Sequence, residues 1–460
     1  MALPTTINKA WMCSYGFLLA LFIYINYSLV RIRMMEYQNV ALPAPKYKAA
    51  IQFSAKANAN LSRSQRVRPR CCHVFKCAME GNWVKRSNIG INEHNYIRQA
   101  NTQLRLHKGW PTQLIHGDLR CGKRYPLPRV LHYNGTQGYY MDIISQCEPD
   151  SASPCCRDDV GWCGNNQWFC SCDTCIDYRQ FIHAELASWR PIDEKCTVSK
   201  KSSDQLCRDL TKNFTSVTFI GDSLVRHVFS ALLIQLTNDP VYGALKPSLK
   251  PNELEFCKEE NQFVDSSCHV KLAMKWQDIQ NNGAFCPRER LKLRMSFIEA
   301  YSTSTSKLAL ASIAERLMEP RPLVVIGIGI HDNFNATKIY ENFLSPIVQL
   351  KSKFVQSRPV MIWVNTHASG PLKPIEFQEI QGNKQILKYN AHMEEFCRRH
   401  SIPVLDTFNM TFGVHSFDGT HYSRTLNLLK STYLVRGIEQ HLLEQANLKY
   451  LENLLLDVGK

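Results

Sequence analysis

Short apolar runs alternate with stretches of helical periodicity in the second half of the chain. The apolar runs that predict buried strands are residues 217–220, 323–330, 360–364 and 402–405. The stretches with helical spacing are residues 224–236, 338–351, 378–400 and 426–455. Strands and helices in alternation are typical of a parallel sheet whose two faces are covered by helices. We therefore predict an α/β fold for residues 201–460.

The longest uncharged apolar stretch lies near the N-terminus, at residues 11–30. At 1.5 Å per residue, about 20 residues span roughly 30 Å, which is enough for one crossing of a bilayer. We predict a transmembrane signal anchor here, preceded by a cytosolic tail of residues 1–10. A cleaved signal peptide is the alternative, because the most apolar part, residues 17–25, is short and Lys9 supplies a basic flank.

Cysteines and glycosylation sequons indicate on which side of the membrane the body lies. All of the 18 cysteines except Cys13 follow residue 70, which leaves 17 in the body. Asn-x-Ser/Thr sequons follow the apolar segment at Asn60, Asn134, Asn213, Asn335 and Asn409. This combination is typical of an oxidising, lumenal or extracellular compartment. Because 17 is odd, at least one thiol is free or pairs between chains, and Cys397 is the candidate.

Charge divides the chain unevenly. Residues 1–135 contain 20 Lys and Arg against 4 Asp and Glu, and the rest contains 35 against 36, so the net charge of +15 belongs to the N-terminal part. Residues 31–70 are predicted to be a basic stem, and the arginines within 63–70 also fit a convertase site after Arg66, which would release the body. A hydrophobic fraction of 44% excludes wholesale disorder. No nucleic-acid partner is expected.

Residues 71–200 are dense in cysteine, with 12 between residues 71 and 196, and apolar periodicity is faint there. We predict a loop-rich region that is held by disulfides. Its centre has the spacing Cys-Cys-x6-Cys-Gly-x5-Cys from Cys155 to Cys170, followed by Cys172 and Cys175. Zinc ligation by the last three cysteines is the alternative.

This spacing resembles the hevein-type chitin-binding module, over about residues 147–175. In that family, aromatic rings near the second and third of these cysteine positions stack on sugars. The resemblance implies Trp162 and Phe169 as glycan contacts, although Val160 stands where an aromatic residue is usual. A disulfide knot that makes no glycan contact is the alternative.

Two motifs suggest acyl chemistry. Gly-Asp-Ser, ending at Ser223, directly follows the first predicted strand and precedes a predicted helix. This context presents a hydroxyl at a sheet edge, and the helix start supplies N–H groups for a developing oxyanion. Asp418-Gly-Thr-His421 lies in a polar loop before the last helix. A histidine can remove the serine proton, and a carboxylate can hold the histidine tautomer.

These motifs make the chain similar to the PC-esterase branch of the SGNH hydrolase superfamily. That branch contains trichome-birefringence-like and fungal capsule O-acetyltransferases and the lumenal domain of sialate O-acetyltransferase. The resemblance covers roughly residues 185–440 and rests on Trp189-Arg-Pro followed by Cys196 and Cys207, on FIGDSLVRHVF, on GIGIHDNFN and on VLDTFNMTFGVHSFDGTHYS. It implies an SGNH-like sheet with Ser223 as nucleophile, His421 as base and Asp418 as its partner.

The chain departs from the superfamily pattern in its third block. His331 stands where an asparagine usually donates to the oxyanion, so His331 is one candidate donor and Asn333 is the other. Arg226 matches an arginine that often follows Gly-Asp-Ser in this branch, and it either binds an acidic substrate group or forms an ion pair. Asn365 and His367 end the strand predicted at 360–364, and we expect them to line the substrate cleft.

The sequence therefore predicts a Golgi-type, single-pass protein whose lumenal domain acetylates a glycan hydroxyl through a Ser223 acyl-enzyme. The alternatives are a glycan O-acetyl esterase of the same fold, and a carbohydrate-binding protein on an inactive hydrolase fold. The expected partners are a glycan acceptor and, through residues 11–30, a membrane. No metal or bound cofactor is expected. The acyl donor is expected to be acetyl-CoA or another acyl carrier.

Overall fold

The computed structural model describes residues 74–87, 89–90, 182–280, 282–286, 293–370 and 373–458, and the backbone of four short strands between residues 124 and 164. All of them belong to one compact unit, Pro69–Lys460. The predicted tail, anchor and stem lie outside the described residues. Among the described residues, no helix combines the length and the apolar character that a membrane crossing requires.

Strands and α-helices are numbered in chain order. The strands are β1 (Gly81–Lys85), β2 (Arg124–Leu127), β3 (Met141–Ile144), β4 (Cys155–Arg157), β5 (Trp162–Gly164), β6 (Ala187–Pro191), β7 (Ser216–Gly221), β8 (Arg294–Glu299), β9 (Pro322–Gly327), β10 (Val360–Val364) and β11 (Val404–Leu405). The α-helices are α1 (Val74–Cys77), α2 (Ser203–Asn213), α3 (Ser223–Thr237), α4 (Pro251–Cys257), α5 (Asn261–Val264), α6 (Ser266–His269), α7 (Trp276–Gln280), α8 (Ser306–Met318), α9 (Ala336–Ile339), α10 (Ser345–Lys353), α11 (Ile375–Gln381), α12 (Asn383–Arg399), α13 (Phe408–Thr411) and α14 (Arg424–Val458).

Five parallel strands form the central sheet, in the order β11-β10-β9-β7-β8. Every residue of β7, β9 and β10 is buried. Continuous apolar runs of this kind are typical of parallel strands that helices cover on both faces. The predicted α/β fold, with a parallel sheet flanked by helices, is confirmed.

Alternate residues of each strand face two separate hydrophobic cores. Phe219 of β7 and Val325 of β9 face one core, where α3 and α14 pack on the sheet. Ile220 and Ile326 face the other, which is filled by side chains of α8, α10 and α12. Successive side chains of a pleated strand point to opposite faces, so each apolar run contributes to both cores.

The strand order changes direction at β7, because the chain passes from β7 to β8 on one side and then to β9 on the other. Ligands of open α/β sheets bind outside the carboxyl ends of the strands at such a point. Two glycines bring the strand ends close together. A Cβ on Gly221 would lie 2.1 Å from the carbonyl oxygen of Gly327, and one on Gly327 would lie 2.6 Å from that of Val364. The loops after β7 and β9 therefore meet here.

Several element boundaries differ from the predictions. The strand predicted at 323–330 ends at Gly327 and leads into a 3-10 turn, Ile330–Asp332. The helix predicted at 378–400 is divided into α11 and α12 at Gly382, whose backbone is extended. The helix predicted at 338–351 begins with α9 and contains a π-helical segment, Tyr340–Leu344. Strand β8 was not predicted, because its buried and exposed positions alternate and form no continuous apolar run.

Parts of the cysteine-rich region pack against the sheet domain. Phe75 of α1 and Trp189 of β6 belong to the core that α3 and α14 cover. β1 pairs antiparallel with β6, and the disulfide Cys77–Cys196 joins the same two segments. Packing is thus continuous across the predicted boundary at residue 200, whose position stays a prediction.

Disulfides continue into the sheet domain. Cys207 pairs with Cys286, and Cys257 pairs with Cys268. The side chain of Cys397 in α12 is buried, and its thiol is free, as predicted for the odd cysteine. The described residues thus contain three disulfides and one free thiol.

Candidate active site

Ser223 begins α3 directly after β7, at the carboxyl edge of the sheet. Asp222 caps the helix, since its Oδ1 accepts a hydrogen bond from the backbone N–H of Leu224 over 2.9 Å. The N–H of Ser223 is one of the first groups of α3, which have no acceptor within a helix. Ser223 is 9% exposed. Its hydroxyl and its N–H are thus presented together, at a position largely shielded from water.

Ser223, His421 and Asp418 form one hydrogen-bonded chain, although the serine and the histidine are 198 positions apart. His421 Nε2 lies 2.8 Å from Ser223 Oγ, and His421 Nδ1 lies 2.8 Å from Asp418 Oδ2. Asp418 Oδ1 accepts hydrogen bonds from the backbone N–H groups of Thr420 and His421. The carboxylate holds Nδ1 as the donor, so the lone pair of Nε2 faces the serine hydroxyl, as a general base requires.

Asp222 connects the start of α3 to the loop after β9. Its carboxyl is buried, and burial raises its pKa to about 7, whereas hydrogen bonds from the N–H groups of Leu224 and Ile330 oppose the rise. The next loop residue, His331, is followed by Asp332, whose carboxylate accepts hydrogen bonds from Thr303 and Lys338. The loop that carries His331 is therefore fixed from both sides.

His331 lies near the triad, and Asn333 is held elsewhere. Burial lowers the pKa of His331, and the nearby charge of His421 lowers it further. The His331 ring packs edge-on against Tyr301, with centroids 5.2 Å apart. These effects favour the neutral imidazole, which keeps one N–H donor. Asn333 Oδ1 instead accepts a hydrogen bond from Gln381 of α11 over 3.0 Å. The donor roles predicted for the two residues stay predictions.

Arg226 forms the ion pair that was one of its two predicted roles. It is 1% exposed, and its guanidinium lies 3.6 Å from Glu299 Oε1. The same guanidinium donates to Tyr301 Oη over 3.3 Å and lies 2.9 Å from His269 Nε2. Protein groups surround this cation, and the described residues leave no open position at which it would meet an acidic substrate group.

Asn365 and His367 are not placed as predicted, because both are buried rather than exposed along a cleft. Asn365 Oδ1 accepts a hydrogen bond from the indole of Trp363 over 3.0 Å. His367 has both ring nitrogens occupied, with Nε2 at 2.7 Å from the carbonyl oxygen of Thr420 and Nδ1 at 2.6 Å from Lys430 Nζ. The chain turns inward after β10, and the His367 side chain contacts the loop before α14 at Thr420.

The predicted glycan-contact residues fall largely outside the described part. Trp162 begins β5, which pairs antiparallel with β4, and only its backbone is described. Phe169 lies outside the described residues, as do the three cysteines of the alternative zinc site. Where side chains are described, no group of three His, Cys, Asp or Glu residues could hold a metal ion.

Sequence reasoning missed several residues beside the triad. His227 is buried one helical turn after Ser223, and its ring centroid lies 4.9 Å from that of His421. A spacing of four in a helix is a signal that could have identified it. Lys373 Nζ donates to Thr420 Oγ1 over 2.9 Å, and Lys430 contacts His367. No local motif marks these two lysines, because only the tertiary fold brings them to the loop.

Comparisons with known proteins add a likeness to solved esterase structures. A member of the lipolytic protein G-D-S-L family from Veillonella parvula is 12% identical, covers 49% of this chain and 96% of its own, and has a TM-score of 0.27. A carbohydrate acetylesterase from Sinorhizobium meliloti is 14% identical, covers 49% and 99%, and has a TM-score of 0.29. An aryl esterase of M. smegmatis is 16% identical, with the same coverage and TM-score.

No protein-family model matches the chain, and no curated protein matches it. TM-scores this low support no conclusion about activity. The chemistry therefore rests on the site itself.

Proposed function

We propose that this protein is a serine-dependent O-acyltransferase that acetylates a hydroxyl group of a glycan. The observation that supports it best is the hydrogen-bonded chain from Ser223 Oγ through His421 to Asp418. Such a chain makes a weakly nucleophilic hydroxyl reactive at neutral pH. The acetyl group and the glycan acceptor come from the sequence resemblance, and the site geometry supports the acyl chemistry.

The reaction is a double displacement. His421 Nε2 takes the proton of Ser223 as Oγ bonds to the acyl carbon of the donor, and the protonated histidine then returns that proton to the leaving group. A sugar hydroxyl next gives its proton to His421 and attacks the acyl carbon. The bond from that carbon to Ser223 Oγ breaks, and His421 returns the proton to Oγ, which releases the acetylated product and free Ser223. The backbone N–H of Ser223 and the imidazole N–H of His331 stabilise both oxyanions. Loss of one such donor should cost about 3 kcal/mol.

Esterase activity is the second candidate, because water can replace the sugar hydroxyl in the second step. The same triad observation supports both reactions, since they share one acyl-enzyme. They differ in where the acetyl group is found. It is bound to added glycan in a transferase and released as acetate in an esterase.

We also propose that the body is lumenal, in the Golgi or another secretory compartment, with residues 11–30 as its membrane anchor. The disulfides of the described part support an oxidising compartment. The lumenal acetyl donor must then come through a separate transporter or from another acyl carrier. A protease-protection assay on intact vesicles would test this topology, and digestion of the body without detergent would contradict it.

The first experiment is intact-mass analysis of the full-length protein after exposure to an activated acetyl ester. We expect one acetyl adduct that maps to Ser223 and is absent from Ser223→Ala. Ser230→Ala is the matched control, because Ser230 is a buried serine of the same helix whose hydroxyl has no hydrogen-bond partner among the described residues. Absence of an adduct from a folded, fully disulfide-bonded sample would favour the non-catalytic glycan-binding alternative.

A further inference from the structure

Thr420 lies between Asp418 and His421, and two residues distant in sequence hold it in place. Lys373 Nζ donates to its hydroxyl over 2.9 Å, and His367 Nε2 lies 2.7 Å from its carbonyl oxygen. A carbonyl oxygen only accepts hydrogen bonds, so this contact requires the proton of His367 to be on Nε2. The position of the catalytic turn therefore depends on the tautomer of a histidine outside the triad.

Lys430 makes the contact that selects this tautomer. Its Nζ lies 2.6 Å from His367 Nδ1. In its charged form, which prevails below the pKa of about 7 to which burial lowers it, Lys430 has three donors and no acceptor, so it requires a lone pair on Nδ1. The two neighbours of the His367 ring thus demand the same arrangement, with Nδ1 accepting and Nε2 donating. A neutral side chain at position 430 would leave the tautomer to the Thr420 contact alone.

The surroundings of Lys430 show that its charge has no anionic partner. Lys430 is 2% exposed, and no carboxylate lies within ion-pair distance of it among the described residues. Its ammonium lies 5.1 Å from the ring centroid of Tyr422, whose hydroxyl donates to Ala368 O. Burial of a cation without an anion is costly, so this lysine is a poor choice for stability alone.

We propose that Lys430 is a positioning residue for the triad. It locks His367 in the Nε2–H tautomer, and His367 in turn holds Thr420 and the turn that carries Asp418 and His421. The proposal rests on the proposed function only in taking that turn as catalytic. Neither Lys430 nor His367 touches Ser223, so both act through the turn.

The tautomer can be measured without any activity. In full-length protein labelled with 15N-histidine at pH 6, below the pKa of about 7 to which burial lowers Lys430, the side-chain nitrogen shifts of His367 report its protonation. We expect a neutral ring with the proton on Nε2 in the wild type. In Lys430→Met the Thr420 contact still favours the proton on Nε2, and we expect part of the ring to become imidazolium, because burial then acts without the Lys430 charge that also lowers the pKa of His367. His367→Gln assigns the signal by removing it. An imidazolium ring, or a proton on Nδ1, in the wild type would overturn the proposal.

Kinetics test the consequence for the triad. We expect Lys430→Met to slow acetylation of Ser223 by an activated ester about tenfold without changing KM, because a small displacement of reacting groups costs this much or more. Lys351→Met is the matched control, since burial also lowers the pKa of Lys351 in α10. A folded Lys430→Met protein with the wild-type rate would overturn the proposal.

Variants of His367 provide a second comparison that does not depend on substituting the lysine. A glutamine can still donate to Thr420 O from its amide, whereas a phenylalanine fills the space with no donor. We expect His367→Gln to keep more activity than His367→Phe at similar thermal stability. Equal rates in the two variants would contradict the role of the hydrogen bond. If the wild type forms no acyl-enzyme, the proposed function fails, and the tautomer measurement still decides this proposal.

Discussion

A buried strand and the start of a helix position Ser223 at one side of the candidate active site, whereas His421 lies in an irregular turn at the other. The serine follows a buried strand, the cap of Asp222 fixes the start of its helix, and these contacts join near neighbours in sequence. The Asp418–His421 turn has no regular structure. Lys373 and His367 contact Thr420 within it, and backbone hydrogen bonds from Phe417 and Gly370 also hold it. The comparison teaches that the sheet determines the position of Ser223, while the position of His421 depends on hydrogen bonds from buried polar groups.

The largest expected effect comes from a substitution at Asp418, in the turn that carries His421. Asp418→Asn keeps the shape of the turn but removes the carboxylate that makes His421 Nδ1 the donor. We expect acetylation of Ser223 to slow by about 10⁴-fold, with the melting temperature little changed. Stopped-flow measurement of the acylation step would check this. Asp278→Asn in α7 is the control, and a rate within tenfold of the wild type for Asp418→Asn would contradict the triad.

On the Ser223 side of the site, a substitution at Gly221 should disrupt the packing of the strand ends. An alanine there would place its Cβ 2.1 Å from Gly327 O, so β7 and β9 would have to separate. We expect a loss of about 3 kcal/mol in the free energy of unfolding by urea. At Gly283 a Cβ would meet nothing within 4 Å, so Gly283→Ala should be close to neutral. Similar unfolding curves for the two variants would show that the strand ends have room to adjust.

Glu260 provides a pH-dependent test of stability near the turn. Its carboxyl accepts a hydrogen bond from the first residue of α14, just after the turn that carries His421. Burial raises its pKa to about 7. The folded state therefore binds the proton of the Glu260 carboxyl more tightly than the unfolded state does. Its contribution to stability is complete below about pH 4.5 and is lost as the pH rises through 7.

We expect Glu260→Gln to gain stability relative to the wild type over that pH range, by about 2 kcal/mol at pH 8. Thermal unfolding between pH 4 and pH 8 would measure the difference. Glu379→Gln, an exposed position in α11, is the control. A constant difference at all pH values would contradict a buried, protonated Glu260.

The smallest expected effect is electrostatic and concerns Lys373. Its positive charge contributes to lowering the pKa of His331. Lys373→Met should raise that pKa slightly, and NMR titration of His331 would detect the change. Lys307→Met, an exposed lysine of α8, should leave it unchanged. A fall in the pKa would mean that Lys373 acts on His331 through the position of the turn.

The comparison also explains what could be predicted from sequence. The central strands β7 and β10 and the Gly-Asp-Ser turn have local signals, since continuous apolar runs mark buried strands and Asp222 is a favourable cap. The Asp418–His421 motif has a short spacing that local reasoning also finds. Strand β8 has no continuous apolar run, because it lies at the sheet edge and its buried and exposed positions alternate.

Asn365 and His367 were misinterpreted as residues that line a cleft, for a physical reason. Asn365 and His367 end a strand at the correct edge of the sheet, and strand ends at that edge often line a cleft. Whether such a side chain faces solvent or the interior depends on what packs behind it, which for His367 is α14 with Lys430. That packing joins residues 63 positions apart, and no local pattern contains it.

Burial also determines how Cys397, the free thiol of the described residues, behaves during folding. It raises the pKa of Cys397 to about 12, so the thiolate fraction at neutral pH is about 10⁻⁵. Thiol–disulfide exchange needs a thiolate that can reach its target, so Cys397 cannot attack the disulfides once α12 has packed on the sheet. Before that step the same thiol is exposed and reactive. Its accessibility to an alkylating reagent would therefore separate mature chains from immature ones.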